Sequence, residues 1–267
     1  MIRTELERAA SVLSGGGVVA FTGAGISAES GIPTFRDPGG VWDRFEPREF
    51  GTWEGLARVA MTRPDALAAF LSELRRALAR ARPSPAHVAL GRLEEAGLLD
   101  AVITQNVDGL HQEAGSRRVV ELHGTFMRRV CVVCGRRQAV DRTMFLDDLD
   151  RAVAGLRSAF VAGLASLLPR CLACQGPARP DFVAFGEAVH GYPEAERLAR
   201  SCRALLVVGT SGEVVPAAAL PDEARAAGAV VVEVATAPTL IKADLRVEGP
   251  AAAVLPALVA AALRPRA

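Results

Sequence analysis

The 267-residue chain has no surplus of either charge: Lys plus Arg number 31 and Asp plus Glu 30. No global field steers it toward nucleic acid or an anionic membrane surface, so any partner is recognised locally. Long hydrophobic runs are also missing. The longest apolar stretches, around Ala159 to Leu168 and Ala251 to Leu263, are shorter than the ~20 residues a spanning helix needs, and Pro256 interrupts the second. The start, "MIRTELERAASVL", places Glu5 and Glu7 where a signal peptide needs a basic region followed by an apolar one, and export is not expected. Five cysteines are too few for a disulfide framework in a chain this long. Four of them form two pairs, Cys131-x-x-Cys134 and Cys171-x-x-Cys174, and Cys202 stands alone. That is metal spacing in a reducing compartment, with the cytoplasm as the expected location.

What is present is apolar residue in quantity. At 50% hydrophobic, the chain can bury one large domain, or a large domain carrying a small insert. Short aliphatic runs recur at 17–23, 100–105, 118–124, 204–211 and 229–236, each reading as a strand buried on both faces. Helical patterns fall between several of them, at 64–81, 85–96, 192–201, 216–227 and 251–263. The alternation predicts an α/β fold, a Rossmann-like doubly wound parallel sheet. It breaks between Arg128 and Pro180, which suggests a small inserted zinc-binding domain. The expected division is 1–127 with 180–267 for the parent domain and 128–179 for the zinc module, residues 28–85 being a further candidate contribution to the smaller part. Within the insert, Leu146, Leu149, Val153, Leu156, Phe160, Leu164 and Leu167 follow a 3/4 spacing, predicting one amphipathic helix packed on the parent domain.

Five motifs carry chemistry. In "FTGAGISAESGIPTFRDPGG" (21–40), Gly23-x-Gly25-x-x-Ala28 follows a strand, where small residues allow a tight turn and approach to a pyrophosphate, although such turns are also glycine-rich for steric reasons. Pro33, Pro38 and the following glycines prevent a regular helix. The acidic residue expected of a dehydrogenase is missing, so a dinucleotide would be held under a loop, with Arg36 for phosphate and Phe35 for stacking. In "AVITQNVDGLH" (101–111), Gln105, Asn106, Asp108 and His111 cluster at a strand end, where Asn106 and Asp108 suit a carboxamide. An Asx turn capping the next helix would explain either of the two alone. His123 in "ELHGT" follows a strand and is a candidate general base. The cysteine quartet suits a closed, structural zinc site. Arg128, Arg129, Arg136 and Arg137 flank its first pair and admit a nucleic-acid ribbon, which the absence of a basic domain argues against. Finally Gly209, Thr210 and Ser211 close a strand with groups suited to ribose or phosphate, or to capping the next helix.

In this order, "GAGIS", "GIPTFRD", "TQNVDGLH", "ELHG", the two CxxC pairs, "RPDFVAFGE" (179–187) and "GTSGEVVPA" make the chain resemble the sirtuins, the NAD-dependent protein lysine deacylases, over nearly its whole length. The resemblance implies a Rossmann-type domain and a small zinc domain with a cleft between them. It implies NAD contacts from Gly23, Ala24, Gly25, Phe35, Arg36, Gln105, Asn106, Asp108, Gly209, Thr210 and Ser211, with Asn106 and Asp108 also taking part in catalysis. His123 matches the catalytic base, and Cys131, Cys134, Cys171 and Cys174 the zinc ligands. Phe182, Val183, Phe185, Gly186 and Glu187 match a strand that pairs with an extended acyl-lysine peptide. The implied reaction consumes NAD: the acyl oxygen displaces nicotinamide, His123 helps the ribose 2'-hydroxyl attack the resulting imidate, and water completes release of lysine and O-acyl-ADP-ribose.

Two positions depart from the pattern. Members selective for succinyl or malonyl carry Tyr-x-x-Arg where Leu71 and Leu74 stand here, implying neutral acyl groups, unless Arg75 or Arg76 substitutes. Ala235 stands where the family usually has Asn, implying weaker NAD binding with intact chemistry. An NAD-dependent mono-ADP-ribosyltransferase and a non-enzymatic zinc-ribbon interaction module are the alternative expectations. No membrane or nucleic-acid partner is expected.

Overall fold

A computed structural model of the chain describes residues 2–34, 40–158 and 164–264. Phe35 and Arg36 of the expected cofactor loop, and Phe160, lie outside the described residues. The chain begins with α1 (Ile2–Leu13), β1 (Val18–Thr22) and a 3-10 segment (Ala24–Ser30), followed by α2 (Val41–Arg44), α3 (Pro47–Phe50), α4 (Trp53–Thr62) and α5 (Pro64–Arg80). Next come α6 (Pro85–Glu95), β2 (Leu99–Thr104), α7 (Leu110–Glu113), β3 (Val119–Glu121), β4 (Gly124–Cys131), β5 (Arg137–Ala139), α8 (Arg142–Leu156) and a 3-10 turn (Leu164–Leu167). The remainder is β6 (Ala178–Phe182), α9 (Tyr192–Ser201), β7 (Ala204–Val208), a 3-10 turn (Ala217–Ala219), α10 (Leu220–Ala226), β8 (Val230–Ala235), β9 (Leu245–Glu248) and α11 (Ala251–Ala262). No helix among the described residues is long and apolar enough to cross a membrane.

The chain divides into two compact units, one formed by Met1–Ser30, Arg82–His123 and Val189–Ala267, the other by Gly31–Ala81 and Gly124–Ala188. The first holds a six-stranded parallel sheet in the order β3-β2-β1-β7-β8-β9. Alternate residues of each strand serve opposite faces: Val18 and Ala20 join a core with α1, α6 and α11, whereas Val19 and Phe21 join a core with α9 and α10. Hence the strands read as continuous apolar runs. The strand order winds outward from β1 and then returns beside it at β7, so the β1/β7 carboxyl ends are the switch point where such sheets hold ligands.

Glycine makes that switch point possible. A Cβ on Gly23 would lie 2.7 Å from the Gly209 carbonyl oxygen, and one on Gly25 would lie 2.7 Å from the Gly209 Cα. Gly209 itself has φ of 63°, and its Cβ would fall 2.5 Å from the Ile26 nitrogen. The small residues of the first turn are therefore dictated by the chain's own backbone. Backbone hydrogen bonds from Gly23 N to Val208 O (3.0 Å) and from Gly25 N to Gly209 O (2.8 Å) close the contact.

The second unit contains a three-stranded antiparallel sheet, β5-β4-β6. It extends beyond 128–179 because α5 packs on α8: Leu78 shares a core with Val140, Phe145 and Leu149, against which Leu71, Leu74 and Phe126 pack. Periodicity reveals the apolar stripe on each helix but not which stripe meets which. The expected helix through Leu167 stops at Leu156, and it packs on α5. Leu164 and Leu167 instead sit in a 3-10 turn that returns to the cluster of Leu156, Val59 and Leu67. Buried Arg129 on β4 donates from Nε to Asp148 on α8 at 2.6 Å, joining sheet to helix.

Gly209→Ala places a side chain both in the left-handed region and against the Ile26 nitrogen. It is expected to destabilise the protein by at least about 2 kcal/mol, read as a lower urea midpoint. A midpoint equal to the wild type would show that the turn relaxes freely.

Candidate active site

Thr104 ends β2, and the polar residues that follow enter one buried network. Ser27 is its centre: its Oγ donates to Asp108 Oδ2 at 2.8 Å and accepts from Asn106 Nδ2 at 3.1 Å. His87 Nε2 lies 3.4 Å from the same oxygen. The His87 Nδ1 accepts the Ser84 backbone N–H at 3.1 Å, so the ring proton resides on Nε2 and is donated to Ser27. Asn106 Nδ2 also donates to the Gly23 carbonyl at 3.1 Å. Asn106 and Asp108 are only 8% and 5% exposed, so their amide nitrogen and carboxylate hold the site's frame from within. The Asx turn is present as well, since Asp108 Oδ1 accepts the Leu110 N–H at 2.9 Å, although the N-cap of α7 is Gly109, with no side-chain cap. Asn106 Oδ1 accepts nothing from the described residues.

His111 belongs to a neighbouring chain of bonds. Its Nε2 lies 2.9 Å from Thr22 Oγ1, which donates to Thr104 Oγ1 at 2.9 Å. The Nδ1 of His111 is buried without a partner among the described residues. Burial lowers the His87 pKa to about 4; burial and then the neighbouring His87, whose ring is 4.7 Å away, lower that of His111 to about 3. Both rings are neutral at physiological pH, structural rather than catalytic.

His123 follows β3 and has a different environment. Its Nδ1 is 3.0 Å from the Gln105 carbonyl oxygen, which can only accept. The proton is therefore on Nδ1, and Nε2 presents a free lone pair. Burial lowers the pKa of this half-buried ring, against the raising effect of the Gln105 carbonyl, so the basic form dominates near neutrality. Gln105 in turn donates from Nε2 to Thr210 Oγ1 at 2.8 Å and from its backbone to the Thr22 carbonyl at 3.0 Å. Thr210 thus serves the site wall and caps no helix. Ala24 and Ser211 flank the same switch point in sequence. Ala235 ends β8.

In the second unit, β6 is an edge strand, and its ladder on β4 ends at Phe182. Val183, Phe185, Gly186 and Glu187, expected as strand, lie beyond it in an irregular segment. Among the described residues no hydrogen bond engages the backbone N–H of Val183 or Gly186. An edge with free amides is a template for an added strand.

The four thiols of Cys131, Cys134, Cys171 and Cys174 lie within 4.8 Å of one another. The Sγ separations of 3.5 Å (Cys131 to Cys174) and 3.8 Å (Cys134 to Cys171) fit the about 3.8 Å expected of sulfurs around one tetrahedral zinc. The amide of Cys134 holds the Cys131 thiol down to about 6 despite burial, and the Ala173 amide lowers Cys171. The Gly176 amide acts the same way on Cys174, but the Cys131 and Cys134 sulfurs push it up to about 12. Four thiolates this close need a cation, and the quartet fits zinc with no position left for a substrate. Cys202 takes no part: it is buried, donates to the Ala199 carbonyl at 3.1 Å, and burial raises its pKa to about 11.

Sequence reasoning did not single out Ser27, Ser84 or His87. Ser27 lies inside the quoted glycine motif, and "SPAH" announces a helix start, but only the fold brings Ile26, Ser84, His87 and Asp108 together.

Metal removal by a strong chelator, or Cys134→Ser, is expected to lower the melting temperature sharply, because structural zinc supplies roughly 10 kcal/mol or more to small sites. Calorimetry with and without chelator checks this; an unchanged melt would mean the quartet holds no stabilising ion. The buried histidines have pKa values depressed on folding, so their stability contribution is complete above the unfolded pKa of about 6.5 and is lost as pH falls toward 4. Urea midpoints between pH 7.5 and 5 should fall with an uptake of about two protons, and His87→Phe should remove one of them. A variant slope equal to the wild type would contradict this.

A model of the Sir2 family matches residues 23–216. An NAD-dependent protein deacylase of Desulfosudis oleivorans is 46% identical over 228 residues, which cover 85% of this chain and 84% of that protein. A solved Sir2 enzyme aligns with a TM-score of 0.79 at 38% identity, covering 97% of this chain and 98% of the other. A second, bound to a myristoylated histone peptide, aligns with a TM-score of 0.72 at 34% identity, covering 97% of each chain. The family model spans most of the chain, and the solved relatives match it nearly end to end around this parallel sheet: the chain belongs to the Sir2 family.

Proposed function

We propose that the chain is an NAD-dependent protein lysine deacylase that converts an acyl-lysine peptide, NAD and water into lysine, nicotinamide and O-acyl-ADP-ribose. The observation that carries the proposal is His123: its Nδ1–H is committed to the Gln105 carbonyl, so Nε2 is free to accept a proton from a ribose hydroxyl. NAD supplies the electrophilic ribose carbon and the nicotinamide leaving group. Around it, Ala24, Gln105, Asn106, Asp108, Gly209, Thr210 and Ser211 are the proposed contacts, with Gly23 and Gly25 shaping the turn. Ser27, Asn106 and Asp108 hold the pocket wall rigid, and Asn106 Oδ1 is the acceptor open to a carboxamide or water.

The peptide backbone would pair with Phe182, Val183, Phe185, Gly186 and Glu187, a mode that reads shape more than sequence. The histone peptide held by a structural relative supports an acyl-lysine substrate with a long aliphatic chain. Leu71 and Leu74 pack into the second unit's apolar clusters, and Arg75 is paired with Asp150 at 2.9 Å, so none of these is set to bind a carboxylate. Acetyl or longer neutral acyl groups are the proposed substrates. Zinc is structural, and the reduced thiols suit the cytoplasm.

Mass spectrometry of one peptide bearing acetyl, long-chain acyl or succinyl lysine, with and without NAD, tests the proposal. Neutral acyl groups should be removed only with NAD, and His123→Ala should slow turnover by about 100-fold or more. The acidic limb of wild-type kcat/KM should lie below pH 6.5, in the direction of the lowered His123 pKa. ADP-ribose appearing on protein without acyl loss would replace the deacylase reading by ADP-ribosyl transfer.

A further inference from the structure

The irregular segment after β6 is gripped from one side by Trp53 and Arg179, to which no role has yet been given, through the Glu187 carboxylate. Arg179 donates from Nη1 to the Phe182 carbonyl at 3.0 Å and from Nη2 to Glu187 Oε1 at 2.8 Å. Glu187 Oε2 accepts the Ala184 amide at 2.9 Å and the indole N–H of Trp53 at 3.0 Å. The Trp53 ring lies 4.8 Å from Phe182 at 35°, and the Arg179 guanidinium sits 4.6 Å from the centroid of its ring. Phe185 N donates to the Gly51 carbonyl at 2.9 Å, and a Cβ on Gly51 would lie 2.5 Å from the Phe185 ring. Trp53 is the first residue of α4, and the Thr52 hydroxyl caps that helix by accepting Gly55 N at 3.0 Å, so the backbone beneath the indole is anchored without the ring.

The pattern of engaged groups is selective. The carbonyl of Phe182 and the amides of Ala184 and Phe185 are held, while the amides of Val183 and Gly186 have no partner among the described residues. A chain that pairs with a peptide only after ordering itself pays that ordering on binding; a chain already held does not.

We propose that Trp53, acting through Glu187 and Arg179, is a positioning residue that holds 183–186 in a preformed turn, closed by the Glu187 N–H on the Ala184 carbonyl at 3.1 Å, with the Val183 and Gly186 amides left open, and so determines affinity for the residues flanking the modified lysine. The proposal rests on the peptide-pairing reading above. Trp53 touches neither the reacting atoms nor NAD in this scheme, so its influence is confined to substrates that have a backbone to pair.

The experiment compares two neutral-acyl substrates, a peptide with several residues on each side of the acyl-lysine and a single end-capped acyl-lysine, in wild type, Trp53→Ala and Trp53→Phe. Trp53→Ala should raise the KM for the peptide by about tenfold, with kcat, the KM for NAD and the kinetics of the capped acyl-lysine changed by less than about twofold. Trp53→Phe keeps the ring contact with Phe182 and loses only the donor to Glu187, and should fall between. It also serves where Trp53→Ala melts early. Equal losses on both substrates, or an unchanged peptide KM in both variants, would overturn the clamp while leaving deacylation intact. If calorimetry and turnover show that the wild type neither binds nor processes either substrate, the deacylase reading fails first and the clamp with it.

Discussion

The contact of backbone on backbone where β1 meets β7 is the constraint on which the rest of the site depends. Gly23 and Gly25 approach Gly209 so closely that no side chain fits on any of the three. The chain leaves β1 without an outward detour and drops at once into the 3-10 segment that places Ser27 beneath Asn106 and Asp108. A more ordinary strand-to-helix turn, with a Cβ at either position, would separate the strands and pull Ser27 away from its partners. The glycines thus matter to the ligand site indirectly, by letting the turns that leave β1 and β7 touch backbone to backbone.

Below that contact the polar groups are organised by satisfaction rather than by charge. Ser27 receives two donors and gives one proton, His87 is fixed in one tautomer by the Ser84 amide, and Thr22 and Thr104 bridge His111 to the Asn106 backbone. Each buried donor therefore has one orientation, the condition for holding a pocket to a fraction of an ångström. The histidines could do this only as neutral rings, which burial enforces. His123 stands apart, half-buried and tied at one nitrogen only, and that difference in environment separates a proposed base from two structural imidazoles of the same residue type.

The second unit solves a different problem. Its small sheet is held by the thiol quartet at one end, by the buried Arg129–Asp148 pair in the middle and by the α5 and α8 layer behind. β6 is left as an edge, with Asp181 on its neighbour-facing side pulled below the usual carboxylate range: burial raises its pKa, and Arg128 and Arg137 together outweigh that effect. The arginines that flank the first CxxC pair are accounted for largely by such pairs within the unit.

Much of this was legible in the residues alone. Aliphatic runs separated by helical periods determine a doubly wound sheet because both faces of each strand must be buried, and two CxxC pairs determine a metal site because thiolates so spaced have little else to do. His123 and the polar cluster from Gln105 to His111 were visible as residues out of place at strand ends. What the sequence could not reveal were partners distant along the chain. Ser27, Ser84 and His87 look like a glycine-loop serine and an ordinary helix start until the fold joins His87 to Ser27 and Ser27 to Asp108; Asp108 itself proves to be both Asx-turn former and network member. The amphipathic stripe after Asp141 did not disclose that Gly155 and the turn at Leu164 fold it back, nor that α5 is its partner. Local chemistry is written in neighbouring residues, whereas the identity of a packing partner depends on which surfaces chain reversal makes adjacent, and only the tertiary structure decides that.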